Sequence, residues 1–95
     1  MALRCIAITM SRGGSRHEHI DYIWWIPHNN QGASPTRSSR PWMVAFVEKG
    51  GRAYVQDDDG DTAYLRVRQT ANGSKYVQTY ADGIWSDNLL ALPRI

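Results

Sequence analysis

The sequence predicts an α+β fold in which one helix packs on a face of an antiparallel sheet of about five strands, in the order β-β-α-β-β-β. Three observations carry this prediction. Short strand-like segments recur along the chain. The dipeptides Asp-Gly at 59–60 and 82–83 and Asn-Gly at 72–73 are typical of hairpin turns. Apolar residues at helical spacing follow a capping residue only in segment 39–49. A length of 95 residues suits a single domain spanning 1–95.

Two strands are predicted before the helix. Residues 3–9 (LRCIAIT) are almost all apolar, which favours a strand at the centre of the sheet. Residues 16–26 (RHEHIDYIWWI) are predicted as its hairpin partner, ended by Pro27. Strand alternation is expected to place the more apolar set of side chains on the core face. That set is Glu18, Ile20, Tyr22, Trp24 and Ile26.

The segment 28–40 is polar and rich in Asn, Gly, Ser and Pro, so it is expected to be a long loop that is either functional or simply flexible. The helix is predicted over 39–49, with Ser38 or Ser39 as its N-cap and Pro41 in its first turn. Because the helix has only about three turns, it must lie on the sheet to be stable.

Three more strands are predicted in the second half of the chain, at 52–56, 62–69 and 75–80, with a brief sixth at 84–85. Alternation in the second of these places Ala63, Leu65 and Val67 on one side. The opposite side then carries Thr62, Tyr64, Arg66 and Arg68. The tail DNLLALPRI is expected to close the core.

The composition and the absence of a long apolar run exclude several classes of protein. Apolar residues make up 42% of the chain, which argues against disorder. The single cysteine, Cys5, rules out a disulfide within the chain and an all-cysteine zinc site, and it is expected to be a buried thiol. No signal peptide or bilayer-spanning run is evident, so a cytoplasmic protein without a membrane partner is expected. No cofactor is expected.

A His-x-His pair is the sharpest local motif. On a strand, His17 and His19 would point the same way, about 6.5–7 Å apart, and Asp21 would continue that face. These three residues are weak candidates for a metal or acid–base site, which would need a further ligand from elsewhere in the fold. A solvent-exposed or hydrogen-bonded strand face is the alternative interpretation. The acidic run 57–61 resembles a calcium loop in composition only, and a hairpin turn is favoured there.

Two sets of residues are candidates for partner binding. Four Trp and five Tyr accompany a single Phe, and Trp25, Trp42 and Trp85 are not all easily buried in so small a core. An outward strand face with Arg66, Arg68 and Tyr64 is the second set, with Tyr76 or Tyr80 beside it. Aromatic and Arg side chains on a sheet are used by several small domains to hold single-stranded nucleic acid.

Three segments together resemble a bacterial family of small domains of unknown function: RHEHI at 16–20, AYVQDDDGDTAYLRV at 53–67 and KYVQTYADGIWSDNLLALPR at 75–94. That family shows a similar His-x-His-Ile start and an ending like Tyr-Ala-Asp-Gly-x-Trp-x-Asp-Asn-Leu-Leu-x-Leu-Pro. The helix departs from it by starting with Pro41-Trp42 rather than with acidic residues. The resemblance implies bacterial, plasmid or phage origin and supplies neither an activity nor catalytic residues.

Three functional hypotheses follow. The favoured one is a small non-enzymatic module that binds a host or effector protein. Such a module would be encoded by a phage or mobile element and would act as an accessory factor or inhibitor of a bacterial host system, of the anti-CRISPR type. Binding to a second copy of the chain, as a homodimer, belongs to the same hypothesis. The alternative is a nucleic-acid-binding domain that uses the Tyr/Arg sheet face. A metal-dependent or acid–base enzyme at His17 and His19 is the third.

Overall fold

The computed structural model describes residues 2–95 as seven strands, one α-helix and one 3-10 helix. In chain order they are β1 Ala2–Met10, the 3-10 helix His17–His19, β2 Ile20–Pro27, β3 Thr36–Ser39, α1 Arg40–Glu48, β4 Arg52–Gln56, β5 Thr62–Gln69, β6 Lys75–Ala81 and β7 Ile84–Ser86. The strands form one sheet in the order β3-β2-β1-β4-β5-β6-β7. Helix α1 packs on one side of this sheet and supplies Met43 and Val44 to the core.

The α+β class and the one α-helix on a face are confirmed, but the expectation of about five antiparallel strands is wrong. The sheet has seven strands and is mixed, because β1 pairs with β4 in parallel through residues 2–4 and 52–54. Parallel neighbours require a crossover connection. Here the segment between β1 and β4 contains β2, β3 and α1, so the connection that makes the sheet mixed also positions the helix.

Strand β3 lies inside the segment that was expected to be a loop. Its sequence, Thr-Arg-Ser-Ser, has no apolar alternation, yet it pairs antiparallel with residues 22–25 of β2. It is one of the two edge strands of the sheet, and most of its side chains are exposed or partly exposed. A strand in that position needs little apolar area, which explains why hydrophobic pattern alone did not indicate it.

Two register irregularities bend the β1–β2 pair. The pairing skips Ile6 on β1 and Asp21 on β2, and Ile8 then pairs with Ile23. Both of these paired isoleucines are fully buried in the core. A bulge of this kind adds one residue to one strand and reverses the alternation of side chains beyond it.

The predicted core face of β2 is therefore wrong at three positions. Ile20 is buried as expected, but after the bulge at Asp21 the core side continues with Ile23 and Trp25. Tyr22, Trp24 and Ile26 lie on the opposite side of the sheet.

The helix begins where its capping residues predict. The Ser39 side chain accepts a hydrogen bond from the Trp42 backbone N–H at 3.3 Å, and Pro41 occupies the first turn. Gly50 follows the helix with a φ of +92°, a conformation that favours glycine. Met43 and Val44 are the buried residues of the helix, whereas Phe46 and Val47 are partly buried against the core. The core joins the sheet, the helix and the tail: Leu3, Cys5, Ile8, Ile20, Ile23, Met43, Val44, Ala53, Val55, Leu65, Val77 and Leu89.

The tail completes the sheet beside β1. The Ile8 backbone N–H donates to the Pro93 carbonyl at 2.9 Å, and the Ile95 N–H donates to the Ile8 carbonyl at 2.9 Å. Leu89 is fully buried, as expected for a segment that closes the core. Among residues 2–95, no helix is long and apolar enough to cross a bilayer.

Candidate functional site

Four aromatic residues form a row across four neighbouring strands. The register pairs Tyr54 of β4 with Tyr64 of β5, Tyr64 with Tyr80 of β6, and Tyr80 with Trp85 of β7. Ring centroids are 5.8 Å apart for Tyr54 and Tyr64 and 4.8 Å apart for Tyr80 and Trp85. Both sequence neighbours of Tyr54 belong to the buried core, so alternation turns this row to the side opposite the core. We call that side the outward face.

Two arginines of β5 lie over rings of this row. The Arg66 guanidinium is 4.2 Å from the ring centroid of Tyr80, and the Arg68 guanidinium is 4.4 Å from that of Trp85. Arg68 also donates a hydrogen bond to the Gln78 side chain at 3.1 Å, which fixes its direction across β6. Guanidinium groups at these distances gain cation–π attraction. We call the following six residues the aromatic–arginine face: Tyr54, Tyr64, Arg66, Arg68, Tyr80 and Trp85.

The outward side of β1, β2 and β3 continues the same chemistry. Arg4 pairs with Tyr54 in the parallel register of β1 and β4. The Arg37 guanidinium of β3 lies 4.3 Å from the ring centroid of Tyr22 and 5.9 Å from that of Trp24. Arginine and aromatic side chains thus occur together on both halves of the outward face.

The outward face carries an excess of positive charge. Five of the nine arginines of the chain lie on it: Arg4, Arg37, Arg52, Arg66 and Arg68. The outward positions of β4, β5 and β6 contain no Asp or Glu. Within the described chain one ion pair occurs, between Lys75 and Glu48 at 2.7 Å, and it involves none of these arginines. No carboxylate within residues 2–95 neutralises these arginines, and the planar fork of donors on a guanidinium group is suited to binding an anion.

Exposure differs along the aromatic row. Tyr64 is 42% exposed, Trp85 is 37% exposed and Tyr80 is partly buried. Tyr54 is only 4% exposed, its hydroxyl lies 2.7 Å from His28 Nδ1, and burial raises the pKa of Tyr54. Tyr64 and Trp85 thus have exposed ring surface, whereas Tyr54 is buried beside Tyr64.

The tryptophans predicted for partner binding are divided between two surfaces. Trp25 and Trp42 stack at 6.0 Å with an interplanar angle of 10°, and Trp42 stacks on Phe46 at 5.3 Å and 8°. Trp42 is 43% exposed. We call Trp25, Trp42 and Phe46 the tryptophan patch, which lies on the helix side of the sheet. Trp85 is not part of it and belongs to the aromatic–arginine face.

The three residues proposed for a metal site do not share a strand face, which corrects that interpretation. His17 and His19 lie in a 3-10 helix, where the period of two does not apply. His17 is 7% exposed, and its Nε2 has no hydrogen-bond partner within residues 2–95. Nδ1 of His19 accepts the backbone N–H groups of residues 15 and 16 at 3.1 and 3.2 Å. Asp21 is exposed at the bulge, and no group of three or more His, Cys, Asp or Glu suited to a metal occurs among the described residues.

The acidic run forms the hairpin turn that was favoured over a calcium loop. One carboxylate oxygen of Asp57 accepts the N–H groups of Asp59 at 3.0 Å and Asp61 at 2.9 Å. Residues 58–60 form a three-residue hairpin loop, whose third residue adopts a left-handed conformation. Gly60 occupies that position with a φ of +87°. The carboxylate of Asp57 is therefore used to hold the turn between β4 and β5.

Cys5 is the buried thiol that the sequence predicts. It is 1% exposed in the core, and burial raises its pKa to about 12. A thiol with so high a pKa is not a nucleophile at neutral pH.

Some residues of the outward face were not found from the sequence, namely Tyr54, Arg4, Arg37 and Arg52. The signal for Tyr54 was present, because it alternates with two small apolar residues in β4. Arg4 sits in a strand that is otherwise nearly all apolar, and a lone charge there marks an outward position. Arg37 lies in β3, within the segment that the sequence predicts to be a loop.

Comparison with known proteins gives one finding about the whole chain. Residues 4–93 match the family described as Protein of unknown function (DUF3892). Searches of curated proteins and of solved structures found no match. The match agrees with the resemblance to a family of uncharacterised domains noted from the sequence.

Proposed function

The chain belongs to the family described as Protein of unknown function (DUF3892), and we propose that it binds single-stranded nucleic acid through the aromatic–arginine face. The observation that carries the proposal is the row of four rings, from Tyr54 to Trp85, with two guanidinium groups laid over it and no acidic residue at the outward positions of β4, β5 and β6.

Each part of the face has a role that its chemistry suits. Exposed rings such as Tyr64 and Trp85 stack bases, whatever the sequence, because every base has a π face. Arg66 lies over the Tyr80 ring and Arg68 over the Trp85 ring, so both are near enough to contact the phosphates of nucleotides stacked on this row. Arg4 and Arg37 extend the positive potential along the sheet and steer the strand toward it.

A single strand fits this surface better than a duplex. Stacking on side chains requires bases that are not already stacked on their neighbours, and paired bases of a duplex are. Neighbouring strands of a sheet are about 4.8 Å apart, so the three accessible rings from Tyr64 to Trp85 span about 10 Å. A row of that length accommodates two or three splayed bases.

The proposal is tested by fluorescence anisotropy with labelled single-stranded DNA and RNA and with a duplex control, over a range of salt concentrations. Replacing both Arg66 and Arg68 by Ala is expected to weaken single-strand binding and to reduce the slope of log K against log salt by about 1.4, since each phosphate contact contributes about 0.7. The matched control is Arg12→Ala, which removes a charge from an exposed turn. Binding that is absent, or that is equal in both variants, would refute the proposal.

A protein-binding module, the hypothesis favoured from the sequence, is the second candidate. The observation that favours it is the tryptophan patch, in which Trp42 is 43% exposed on a helix that lies away from the aromatic–arginine face. Trp is enriched among the residues that dominate protein interfaces. The partner expected from the sequence is a host or effector protein or a second copy of the chain. Trp42→Leu, compared with Arg66→Ala, assigns any protein partner that is found to one surface or the other.

A further inference from the structure

A cavity opens at the Tyr54 end of the aromatic row. It has a volume of about 290 Å³ and is lined by residues of β4, β5, the start of β1 and the turn after β2. Small-molecule sites span roughly 300–1,000 Å³, so this cavity is of a size for one small ligand. Its lining includes His28, Gln31, Arg52, Tyr54 and Tyr64.

The wall formed by the turn after β2 is held in place by hydrogen bonds. Arg4 donates to the side-chain oxygen of Gln31 at 2.9 Å, and the Gln31 amide donates to the His28 carbonyl at 3.3 Å. The His28 backbone N–H donates to the Ala2 carbonyl at 2.9 Å. The cavity is therefore formed before a ligand enters, which lowers the entropy cost of binding.

His28 contributes an exposed side chain to the wall of the cavity. Its Nδ1 lies 2.7 Å from the Tyr54 hydroxyl, which is a hydrogen-bond distance. The tautomer in which Nδ1 accepts the Tyr54 proton carries the imidazole proton on Nε2. That tautomer offers an N–H donor at the cavity, and it is the one that the inference uses.

The cavity combines an aromatic wall with donors for an anion. Tyr64 is 42% exposed and lines it, so its ring is available to stack on a planar group. Arg52 is exposed, lines the same cavity and makes no ion pair within residues 2–95. No Asp or Glu lines the cavity. A planar ring joined to a phosphate is the chemistry that satisfies both sets of groups.

We infer that this cavity binds one nucleoside monophosphate unit, with its base stacked on Tyr64 and its phosphate bound by Arg52 and the Nε2–H of His28. The inference rests on the proposed function in one respect, because it takes this unit to be a nucleotide of the bound strand. The strand would then run along the aromatic row from Trp85 and place one nucleotide in the cavity beyond Tyr64. A free nucleotide has the same chemistry, and the experiment separates the two sources.

The test is a calorimetric and NMR titration of the full chain with adenosine 5′-monophosphate, adenosine, inorganic phosphate and a short single-stranded oligonucleotide. We expect adenosine 5′-monophosphate to bind more tightly than adenosine or phosphate alone. Arg52→Gln is expected to weaken it about tenfold, since hydrogen bonds from a charged donor are the stronger kind. Tyr64→Leu is expected to weaken the nucleotide and leave phosphate unchanged. Arg12→Gln is the charge control and is expected to bind as the unchanged chain does.

The outcomes separate this inference from the proposed function. If the oligonucleotide binds and Arg66→Ala weakens it, but Arg52→Gln changes neither ligand, the inference is overturned and the proposed function stands. If adenosine 5′-monophosphate binds at Arg52 and no oligonucleotide binds, the cavity takes a free nucleotide and the proposed function fails. Phosphate that binds as tightly as the nucleotide, or no binding of the nucleotide, overturns the inference.

Discussion

The arginine side chains of the aromatic–arginine face are held by aromatic rings and an amide group. Arg68 is held by the Gln78 side chain at 3.1 Å and by the ring of Trp85 at 4.4 Å, rather than by a carboxylate. A carboxylate would neutralise the charge and compete with an anionic ligand, whereas a ring and an amide do neither. The positive charge of the face is therefore oriented and still available.

Tyr64 is the most exposed ring of the aromatic row, so its replacement by Leu tests stacking directly. We predict a loss of about 1–3 kcal/mol in the free energy of single-strand binding, the usual contribution of one base stacked on a ring. Leu keeps an apolar side chain on the strand and removes the π face. Anisotropy with the same labelled strand measures the change. Trp42→Leu, on the opposite side of the sheet, should bind as the unchanged chain does, and equal losses in both variants would contradict a role for stacking at Tyr64.

The lowered pKa of His17 predicts that the stability of the fold depends on pH. Burial is the main reason that its pKa lies below the ordinary value of 6.5, with Asp87 and Glu18 opposing the shift and Arg68 adding to it. The unfolded chain then binds a proton at His17 more readily than the folded chain does. The stability that this difference gives is fully present above about pH 6.5 and is lost as the pH falls toward the lowered pKa.

Urea unfolding at about pH 7.5 and about pH 5.5 measures this effect, since these values lie on either side of the ordinary pKa of His. His17→Gln should show a smaller fall in unfolding free energy between the two pH values than the unchanged chain. His28→Gln, in the exposed turn after β2, should retain most of that fall. An undiminished fall in His17→Gln would mean that another group titrates.

At the scale of elements, the sequence predicts a strand's two faces correctly where the strand is regular and incorrectly where an irregularity interrupts it. In β5 the alternation gave the correct faces, because this strand is regular and half-buried, with Leu65 inward and Tyr64 and Arg66 outward. In β2 one bulge at Asp21 reversed the faces, and a bulge has no distinct pattern in the sequence. The sequence predicts strand where the structure has the 3-10 helix that contains His17, because three residues are too few to show a helical period.

The helix start offers a prediction at this scale, because Ser39 satisfies an N–H group that would otherwise lack a partner in the first turn. Ser39→Ala is expected to lower the unfolding free energy by about 1 kcal/mol. Urea denaturation measures it, with Ser34→Ala in the preceding exposed segment as the control. If the two variants unfold at the same urea concentration, the capping bond does not contribute to stability.

At the scale of the whole molecule, what the sequence could not supply was the pairing of distant segments. The parallel pairing of β1 with β4 joins residues about fifty positions apart, and it brings Arg4 beside Tyr54. The sequence already indicated Tyr64, Arg66 and Arg68 as one face. The sequence leaves Tyr76 or Tyr80 beside that face. The register of β6 and β7 aligns Tyr80 with Tyr64 and adds Trp85, which makes a row of rings.

The exposed aromatic residues are divided between the two sides of the sheet. The tryptophan patch faces the helix side with Trp42, and the aromatic–arginine face lies opposite. The tryptophan patch is made of aromatic side chains, whereas the outward face carries five arginines. Two surfaces of such different chemistry suit different partners, and a ligand that is mapped to one of them identifies the function.

The most direct measurement is an NMR titration of the isotope-labelled chain with a short single-stranded oligonucleotide, in which backbone amide shifts are followed residue by residue. Nucleic-acid binding by the aromatic–arginine face predicts that the largest changes fall in β4 to β7, around Tyr64, Arg66, Tyr80 and Trp85, and that they diminish as salt is added. Changes confined to the helix around Trp42, or no changes at all, would contradict it.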